Sequence, residues 1–232
     1  MILILNLSVF TLLSLLYFTY KPIKNYRVYS KTITSLLFLF FCLFARLHTK
    51  GDFDYFILIL TGLIFSVFGD IFLSINPRSH KKSSIIFLFG LISFSVTHIF
   101  YTSAFSYLDS MQLKELVLAL LFSFIIMLYL KVYKKLEFNK LFIPSFIYCT
   151  LISIMYSKSL ALLLKYKSNK GIIFLVIGTT LFIVSDFVLS FIIFDKNHNK
   201  ALPAINLITY YIGQFLICLL YTSLTTFRIF IF

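Results

Sequence analysis

Long apolar runs separated by short clusters of charged residues form the pattern of this chain from end to end. A helix that crosses a bilayer takes about 20 predominantly apolar residues, because it rises about 1.5 Å per residue through a hydrocarbon core about 30 Å thick. The runs have this length and predict eight transmembrane helices, at residues 2–20, 31–47, 54–75, 85–106, 113–132, 140–158, 171–194 and 203–226. The connections are short, so we expect one integral-membrane domain over residues 1–232.

The periodicity of the runs argues against a membrane barrel. Barrel strands alternate polar and apolar residues over about ten residues, whereas these runs are apolar on every face. We therefore predict an all-α fold, a polytopic membrane bundle of eight transmembrane helices. The first run lacks a basic segment before it and a small-residue cleavage site, so we expect a retained helix and not a signal peptide.

Composition and charge narrow the class of protein further. The chain is 60% hydrophobic and 12% charged, with a mean hydropathy of +0.99, which excludes a soluble globular enzyme. A net charge of +13 is also found in proteins that bind nucleic acid, but the basic residues here are spread over short loops. We interpret the charge as membrane topology and contact with lipid headgroups, and expect no nucleic-acid partner.

Thirteen of the 21 lysine and arginine residues fall in the loops after predicted helices 1, 3, 5 and 7. The positive-inside rule places these loops in the cytoplasm and both termini outside. We expect a multi-pass protein of the plasma membrane or an inner membrane.

Two aspartates stand inside apolar runs, Asp70 in predicted helix 3 and Asp186 in predicted helix 7. An aspartate costs about 2.5 to 3.5 kcal/mol at the centre of a membrane helix even on the lenient insertion scale. No intramembrane lysine or arginine is placed by the sequence to pair with either acid. We therefore interpret both as functional residues, in a solvated cavity or in the protonated form.

The two aspartates are 116 residues apart, half of the chain length of 232. The same offset carries His98 onto Gln214 and Phe94 onto Tyr210. This predicts a four-plus-four duplication, with the halves as parallel repeats about an axis along the membrane normal. The alternative is chance matching in a sequence built from few residue types.

Five further polar side chains lie mid-helix and must find partners inside the bundle. They are His98, Tyr101, Tyr210, Tyr211 and Gln214. Residues three or four apart share a helix face, so we expect this group to face the cavity that holds the two acids. A zinc site needs three or four ligands, and the other three histidines are scattered on differing sides of the predicted membrane. We expect no metal.

Five motifs follow one another along the chain: GLIFSVFGDIFL at 62–73, F-x-x-G-L-x-x-F-x-x-x-H-x-x-Y at 87–101, P-x-x-x-Y-x-x-x-x-x-x-M at 144–155, G-x-x-x-F-x-x-S-D-x-x-L at 178–189 and T-Y-Y-x-x-Q-x-L-I at 209–217. In this order they resemble the YhhN-type lysoplasmalogenase family of eight-helix membrane enzymes. The resemblance extends from about residue 30 to residue 220.

The resemblance implies hydrolysis of the vinyl ether bond of a lysophospholipid substrate, a lysoplasmalogen, to a fatty aldehyde and glycerophosphocholine or glycerophosphoethanolamine. Carried over by motif, it implies catalytic roles for Asp70 and Asp186 and supporting roles for the five polar residues. The basic residues Lys31 and Arg78 are candidates for binding the lipid phosphate. One departure from the family is that its Lys-Pro start of helix 2 is Lys31-Thr32 here, which weakens the assignment of Lys31.

Vinyl ether hydrolysis needs a proton donor and a nearby negative charge, and it needs no cofactor. Paired carboxyl groups divide this work in glycosidases. Either aspartate fits either role on sequence alone, and Asp186 is the working choice for the acid. Two alternatives stay open: a transporter of lipids or a proton-coupled transporter of small molecules, and a non-catalytic lipid-sensing membrane protein. Release of aldehyde by purified protein in detergent would distinguish the enzyme from both.

Overall fold

The computed structural model describes residues 2–21, 26–48, 52–75, 83–195 and 197–223, and these contain helices and no strand. The all-α prediction is confirmed. Eight α-helices run through the described residues: α1 Ile2–Tyr20, α2 Tyr26–His48, α3 Phe53–Ile75, α4 Ser83–Leu108, α5 Leu113–Leu128, α6 Phe142–Lys165, α7 Lys170–Phe194 and α8 Leu202–Ser223.

Six segments in the described part of the chain are long and apolar enough to cross a membrane. They are Tyr26–Phe44, Phe53–Ile75, Ile85–Leu108, Leu113–Tyr133, Asn139–Lys165 and Lys170–Phe194. The remaining apolar helices are shorter, at Leu7–Tyr20 and Leu202–Cys218. The chain is therefore a multi-pass membrane protein, and the crossing of the bilayer by α1 and α8 stays a prediction.

The two largest differences from the predicted helix bounds both occur at lysines. Helix α2 begins at Tyr26 and not at 31, and α6 ends at Lys165 and not at 158. The predicted bounds stop at these lysines because a charged residue usually marks the end of an apolar membrane segment. Both Lys31 and Lys158 instead lie inside helices, because each finds a carboxylate partner within the bundle.

Glycines let two pairs of helices approach closely. At the contact of α3 with α4, Thr97 Oγ1 donates a hydrogen bond of 2.9 Å to the carbonyl of Gly62. At the contact of α7 with α8, a Cβ atom on Gly178 would lie 2.9 Å from the carbonyl oxygen of Gly213, and the reverse substitution would clash equally. Helix interfaces in membranes are enriched in small residues, because these let the backbones approach closely. These contacts fix the two pairs that carry the aspartates.

A buried charge cluster ties the connection between α4 and α5 to α6. Lys158 is fully buried, and its Nζ lies 3.3 Å from both Asp109 Oδ2 and Glu115 Oε2. Lys165 Nζ lies 2.6 Å from Asp109 Oδ1, and this hydrogen bond holds the pKa of the Asp109 carboxyl below its usual range. Because the folded pKa lies below the unfolded one, the pairing stabilises the fold at neutral pH and this contribution is lost on strong acidification.

The distribution of basic residues predicts which ends of the helices face the cytoplasm. All three native cysteines are buried, so an introduced exposed cysteine dominates labelling by an impermeant thiol reagent. We expect Asn197→Cys, between α7 and α8, to be protected in intact cells and to react after permeabilisation. We expect Ser168→Cys, between α6 and α7, to react in intact cells. The opposite labelling would invert the topology.

Candidate active site

Both aspartates lie near the same end of the bundle. Helix α3 ends at Ile75, five residues after Asp70, and α7 ends at Phe194, eight residues after Asp186. At about 1.5 Å per residue, the two acids lie about 8 and 12 Å from the ends of their helices. Both acids therefore lie in the second half of their helices, toward the same end of the bundle.

Asp70 is surrounded by donors from two other helices. Its Oδ2 accepts hydrogen bonds from Ser35 Oγ at 2.6 Å and from the Tyr210 hydroxyl at 2.8 Å. The Lys31 Nζ lies 2.9 Å from Oδ1, as an ion pair and not as a directed hydrogen bond. The Tyr211 hydroxyl lies 3.1 Å from Ser35 Oγ and completes this shell. An ammonium group and two hydroxyl donors stabilise a negative charge on Asp70.

The expectation that no intramembrane cation pairs with either acid was wrong for Asp70. Helix α2 begins a full turn before Lys31, so this lysine is a helical residue and its side chain is only 12% exposed. Lys31 and Ser35 are four residues apart and share the face of α2 that meets Asp70. Lys31 therefore lies at the candidate site, but as the partner of a carboxylate.

A chain of hydrogen bonds, each donating toward the next group, runs from Tyr101 to Asp70. The Tyr101 hydroxyl donates to Gln214 Oε1 at 2.7 Å, and Gln214 Nε2 donates to Ser66 Oγ at 2.9 Å. Ser66 Oγ lies 2.7 Å from the Tyr210 hydroxyl, which in turn donates to Asp70. Every group in this chain is buried, and successive bonds of this kind polarise one another. Four of the five predicted supporting residues are thus in the hydrogen-bond network of Asp70. Three of them are in this chain, and Tyr211 contacts Ser35, which donates to Asp70.

The fifth supporting residue, His98, belongs to Asp186. The Tyr148 hydroxyl donates a short hydrogen bond to Asp186 Oδ2 and lies 3.0 Å from His98 Nε2. Because the single Tyr148 proton is given to Asp186 in this arrangement, Nε2 of His98 is the donor to the tyrosine oxygen. Nδ1 of the buried imidazole has no hydrogen-bond partner in the described residues. Tyr148 was not among the predicted site residues, although it is the tyrosine of the third motif.

Aromatic rings separate the two hydrogen-bond networks. The Tyr210 ring packs edge-on against Phe182 at 5.3 Å and against Phe94 at 5.9 Å between centroids. Phe182 also packs against the His98 ring at 5.0 Å. Within the described residues no hydrogen bond joins the two networks. The structure thus distributes the seven predicted catalytic and supporting residues over two networks, around two acids in different surroundings.

Asp186 lines a cavity of about 90 Å³ between α4, α5, α6 and α7, closed on one side by Leu73 of α3, and Asp70 is not among its lining residues. The walls are almost entirely apolar and include Phe94, Met127 and Ile152. Hydroxyl groups of Ser145, Tyr148 and Ser190 and the Asp186 carboxyl are the polar exceptions. A mostly apolar pocket with a few convergent polar groups is the usual form of a small-molecule site.

Two further predictions concern binding residues and metal. Arg78 lies outside the described residues. The described residues contain no group of three or more histidines, cysteines or acids that could hold a metal ion.

The fold and this site define a multi-pass α-helical membrane protein with two carboxyl groups inside its bundle. The sequence model of the YhhN family matches residues 26–221, and the chain belongs to the YhhN family. All five motifs fall within the matched residues, so the resemblance found in the sequence is confirmed. No curated protein and no solved structure matches the chain.

Removal of the Lys31 charge tests the ion pair. In Lys31→Met the Asp70 carboxylate keeps its place without a cation, and breaking a buried pair in this way costs about 3 to 5 kcal/mol. Adding Asp70→Asn removes the orphaned charge, so we expect the double variant to regain much of the lost stability. Thermal unfolding in detergent measures this, with the exposed Lys167→Met as a control that leaves the midpoint unchanged. A double variant no more stable than Lys31→Met would contradict the pairing.

Proposed function

We propose that this protein is a lysoplasmalogenase, which hydrolyses the vinyl ether bond of lysoplasmalogens to a fatty aldehyde and glycerophosphocholine or glycerophosphoethanolamine. The observation that carries the proposal is a carboxyl group, that of Asp186, in the wall of an apolar cavity inside a membrane bundle. Membership in the YhhN family, which is associated with hydrolase activity, supports it. The substrate is a lipid, so it reaches the cavity from the bilayer.

The reaction requires acid catalysis at carbon. A proton is added to the β-carbon of the vinyl ether, which leaves an oxocarbenium ion on the α-carbon and the ether oxygen. Water adds to the α-carbon and loses a proton, and the resulting hemiacetal collapses to the aldehyde and the free glycerol hydroxyl. One proton is given and one is returned, so a single carboxyl group completes the cycle without a cofactor.

Asp186 is the general acid in this proposal. Its Oδ2 accepts the Tyr148 proton, which leaves Oδ1 to carry the proton that is transferred. Charge on this carboxyl is costly because the cavity around it is apolar and no cation contacts it within the described residues. Once it has protonated the substrate, the carboxylate lies beside the oxocarbenium ion and accepts the proton of the attacking water, as an acid–base residue does in retaining glycosidases.

Asp70 has a different role in the proposal. It does not line the cavity, and Lys31 offsets its charge, so direct stabilisation of the oxocarbenium ion is assigned to Asp186. Asp70 holds the Tyr210 hydroxyl, and the Tyr210 ring supports Phe94, which forms part of the cavity wall. We therefore assign Asp70, with the supporting tyrosines and Gln214, to positioning the site.

We also infer eight membrane spans built as a four-plus-four repeat. Two glycine contacts support the repeat. A Cβ atom on Gly62 of α3 would lie 3.4 Å from the Thr97 carbonyl oxygen of α4, and one on Gly178 of α7 would lie 2.9 Å from the Gly213 carbonyl oxygen of α8. Each residue of the second pair is 116 positions after its counterpart. The spacing found in the sequence thus recurs in the way the helices pack.

A second contact supports the same inference. Phe94 and Tyr210 are related by the offset of 116 residues, and their rings pack edge-on with centroids 5.9 Å apart. Residues next to a two-fold axis contact their own equivalents. In a repeat of this kind Asp70 and Asp186 are equivalent positions that have acquired different partners.

Aldehyde release from a lysoplasmalogen by the purified protein in detergent tests the function. We expect Asp186→Asn to lower kcat by about 100-fold or more, since general acid catalysis contributes about 10² to 10⁴. Asp70→Asn should lower the rate less, because it acts through Tyr210. The matched control is Asp54→Asn, an exposed acid in the first turn of α3, with unchanged activity.

Three outcomes would change the role of Asp186, the substrate or the proposed function. More than a tenth of the activity in Asp186→Asn would remove this residue from the chemistry, because a tenth corresponds to only about 1.4 kcal/mol. Equal turnover of an ester-linked lysolipid would favour a general lysophospholipase. No aldehyde from the unsubstituted protein would reject the proposed function.

A further inference from the structure

The connection between α5 and α6 has an unusual backbone. Helix α5 passes into a π-helical turn at Tyr129–Tyr133, a rare conformation that is frequently found at functional sites. The chain then reverses through Lys135 and Asn139, whose φ angles of 55° and 47° are in the left-handed region. The Leu136 amide donates to the Leu130 carbonyl at 3.1 Å and closes the reversal. This connection is folded back onto the end of the bundle.

The apolar residues of the connection form one wall of the cavity. Leu130 and Phe138 are buried and line it. The Phe138 ring packs at 4.3 Å against Phe194, which lines the cavity from the end of α7. The cavity therefore extends from Asp186 to the end of the bundle where this connection lies.

The same connection carries four exposed lysines and a single acid, Glu137. The lysines are Lys131, Lys134, Lys135 and Lys140. Among the described residues none of these four forms a salt bridge, whereas the buried lysines of the bundle are ion-paired. The connection thus presents uncompensated positive charge beside an apolar cavity.

Lys131 is the lysine most closely tied to the cavity. It directly follows Leu130, and its Nζ lies 4.2 Å from the centre of the Phe142 ring. Phe142 packs against Phe138, which is a cavity residue. The Lys131 ammonium group is therefore linked to the cavity wall through the Phe142 ring, while its side chain remains exposed and can meet an anion at the membrane surface.

From this arrangement we infer that Lys131, with Lys134 and Lys140 beside it, binds the phosphate of a lysophospholipid whose ether end enters the cavity. Asp186 lies about 12 Å along α7 from Phe194. The atoms from a lysolipid phosphorus through the glycerol to the ether oxygen cover about half of this length. The vinyl carbons continue beyond the ether oxygen, so a phosphate at the lysines directs the vinyl ether toward Asp186. That the bound lipid is then hydrolysed rests on the proposed function, but the phosphate site does not.

The chain contains no tryptophan, so binding can be followed without turnover. Phe87→Trp places a single fluorophore in the cavity wall on α4. The probes are a saturated 1-alkyl-glycerophosphoethanolamine with a brominated chain, which quenches tryptophan, and the 1-alkylglycerol with the same chain and no phosphate. Both are titrated in an uncharged detergent.

We expect Lys131→Gln to weaken binding of the phosphate-bearing lipid about five-fold or more, the effect of one lysine near a lipid phosphate. Binding of the alkylglycerol should not change, and Lys131→Arg should keep the affinity for both. The matched control is Lys114→Gln, an exposed lysine in the first turn of the same helix at the opposite end, which should affect neither lipid.

Three results would overturn the inference. Equal weakening for both lipids would mean that Lys131 only supports the fold. No change in uncharged detergent, with an effect only in vesicles of anionic lipid, would mean that the lysines contact the surrounding bilayer and not the lipid in the cavity. No quenching by either lipid would mean that the cavity holds no lipid chain. Phosphate-dependent binding without aldehyde release would reject the proposed hydrolysis and leave the phosphate site standing.

Discussion

A carboxylate inside a membrane bundle has to be compensated there, and the ion pair of Asp70 with Lys31 at 2.9 Å meets this requirement. Lys31 and Ser35 come from α2, the acid comes from α3, and the Tyr210 hydroxyl comes from α8. One buried charge thus fixes the mutual arrangement of three helices. Because α8 also packs closely on α7 through glycine, the position of Asp186 depends on the same set of contacts.

The two acids occupy comparable places in their helices and have opposite surroundings. Asp70 has a cation and two hydroxyl donors, whereas Asp186 has one tyrosine and an apolar cavity. A proton held by a carboxyl group can be transferred only where the substrate can reach it. In the proposed function the cavity beside Asp186 gives the substrate that access, and the basic connection after α5 binds the polar end of the lipid. The proposed site therefore combines a carboxyl group, an apolar cavity and a basic connection beside it.

The helical fold and the two intramembrane acids could be predicted from the sequence, because long apolar runs and an acid within them leave few structural choices. Lys31 was missed as a partner because the apolar run was ended at the first charge, although its spacing from Ser35 indicates a shared helix face. Tyr148 was missed because one tyrosine among 15 in an aromatic-rich chain is not distinctive. His98 and Tyr101 are three residues apart yet join different networks. Spacing predicts a helix face, but the neighbouring helix decides which partner that face meets.

The central proposal is that Asp186 carries the proton transferred in the reaction, whereas the Asp70 carboxylate is paired with Lys31. Infrared difference spectra at neutral pH, recorded for the unsubstituted protein against each aspartate variant in detergent, measure this directly through the carbonyl stretch of a protonated carboxylic acid. The account predicts that Asp186→Asn removes such a band and that Asp70→Asn leaves it in place. A band that is lost in Asp70→Asn and kept in Asp186→Asn would contradict the account.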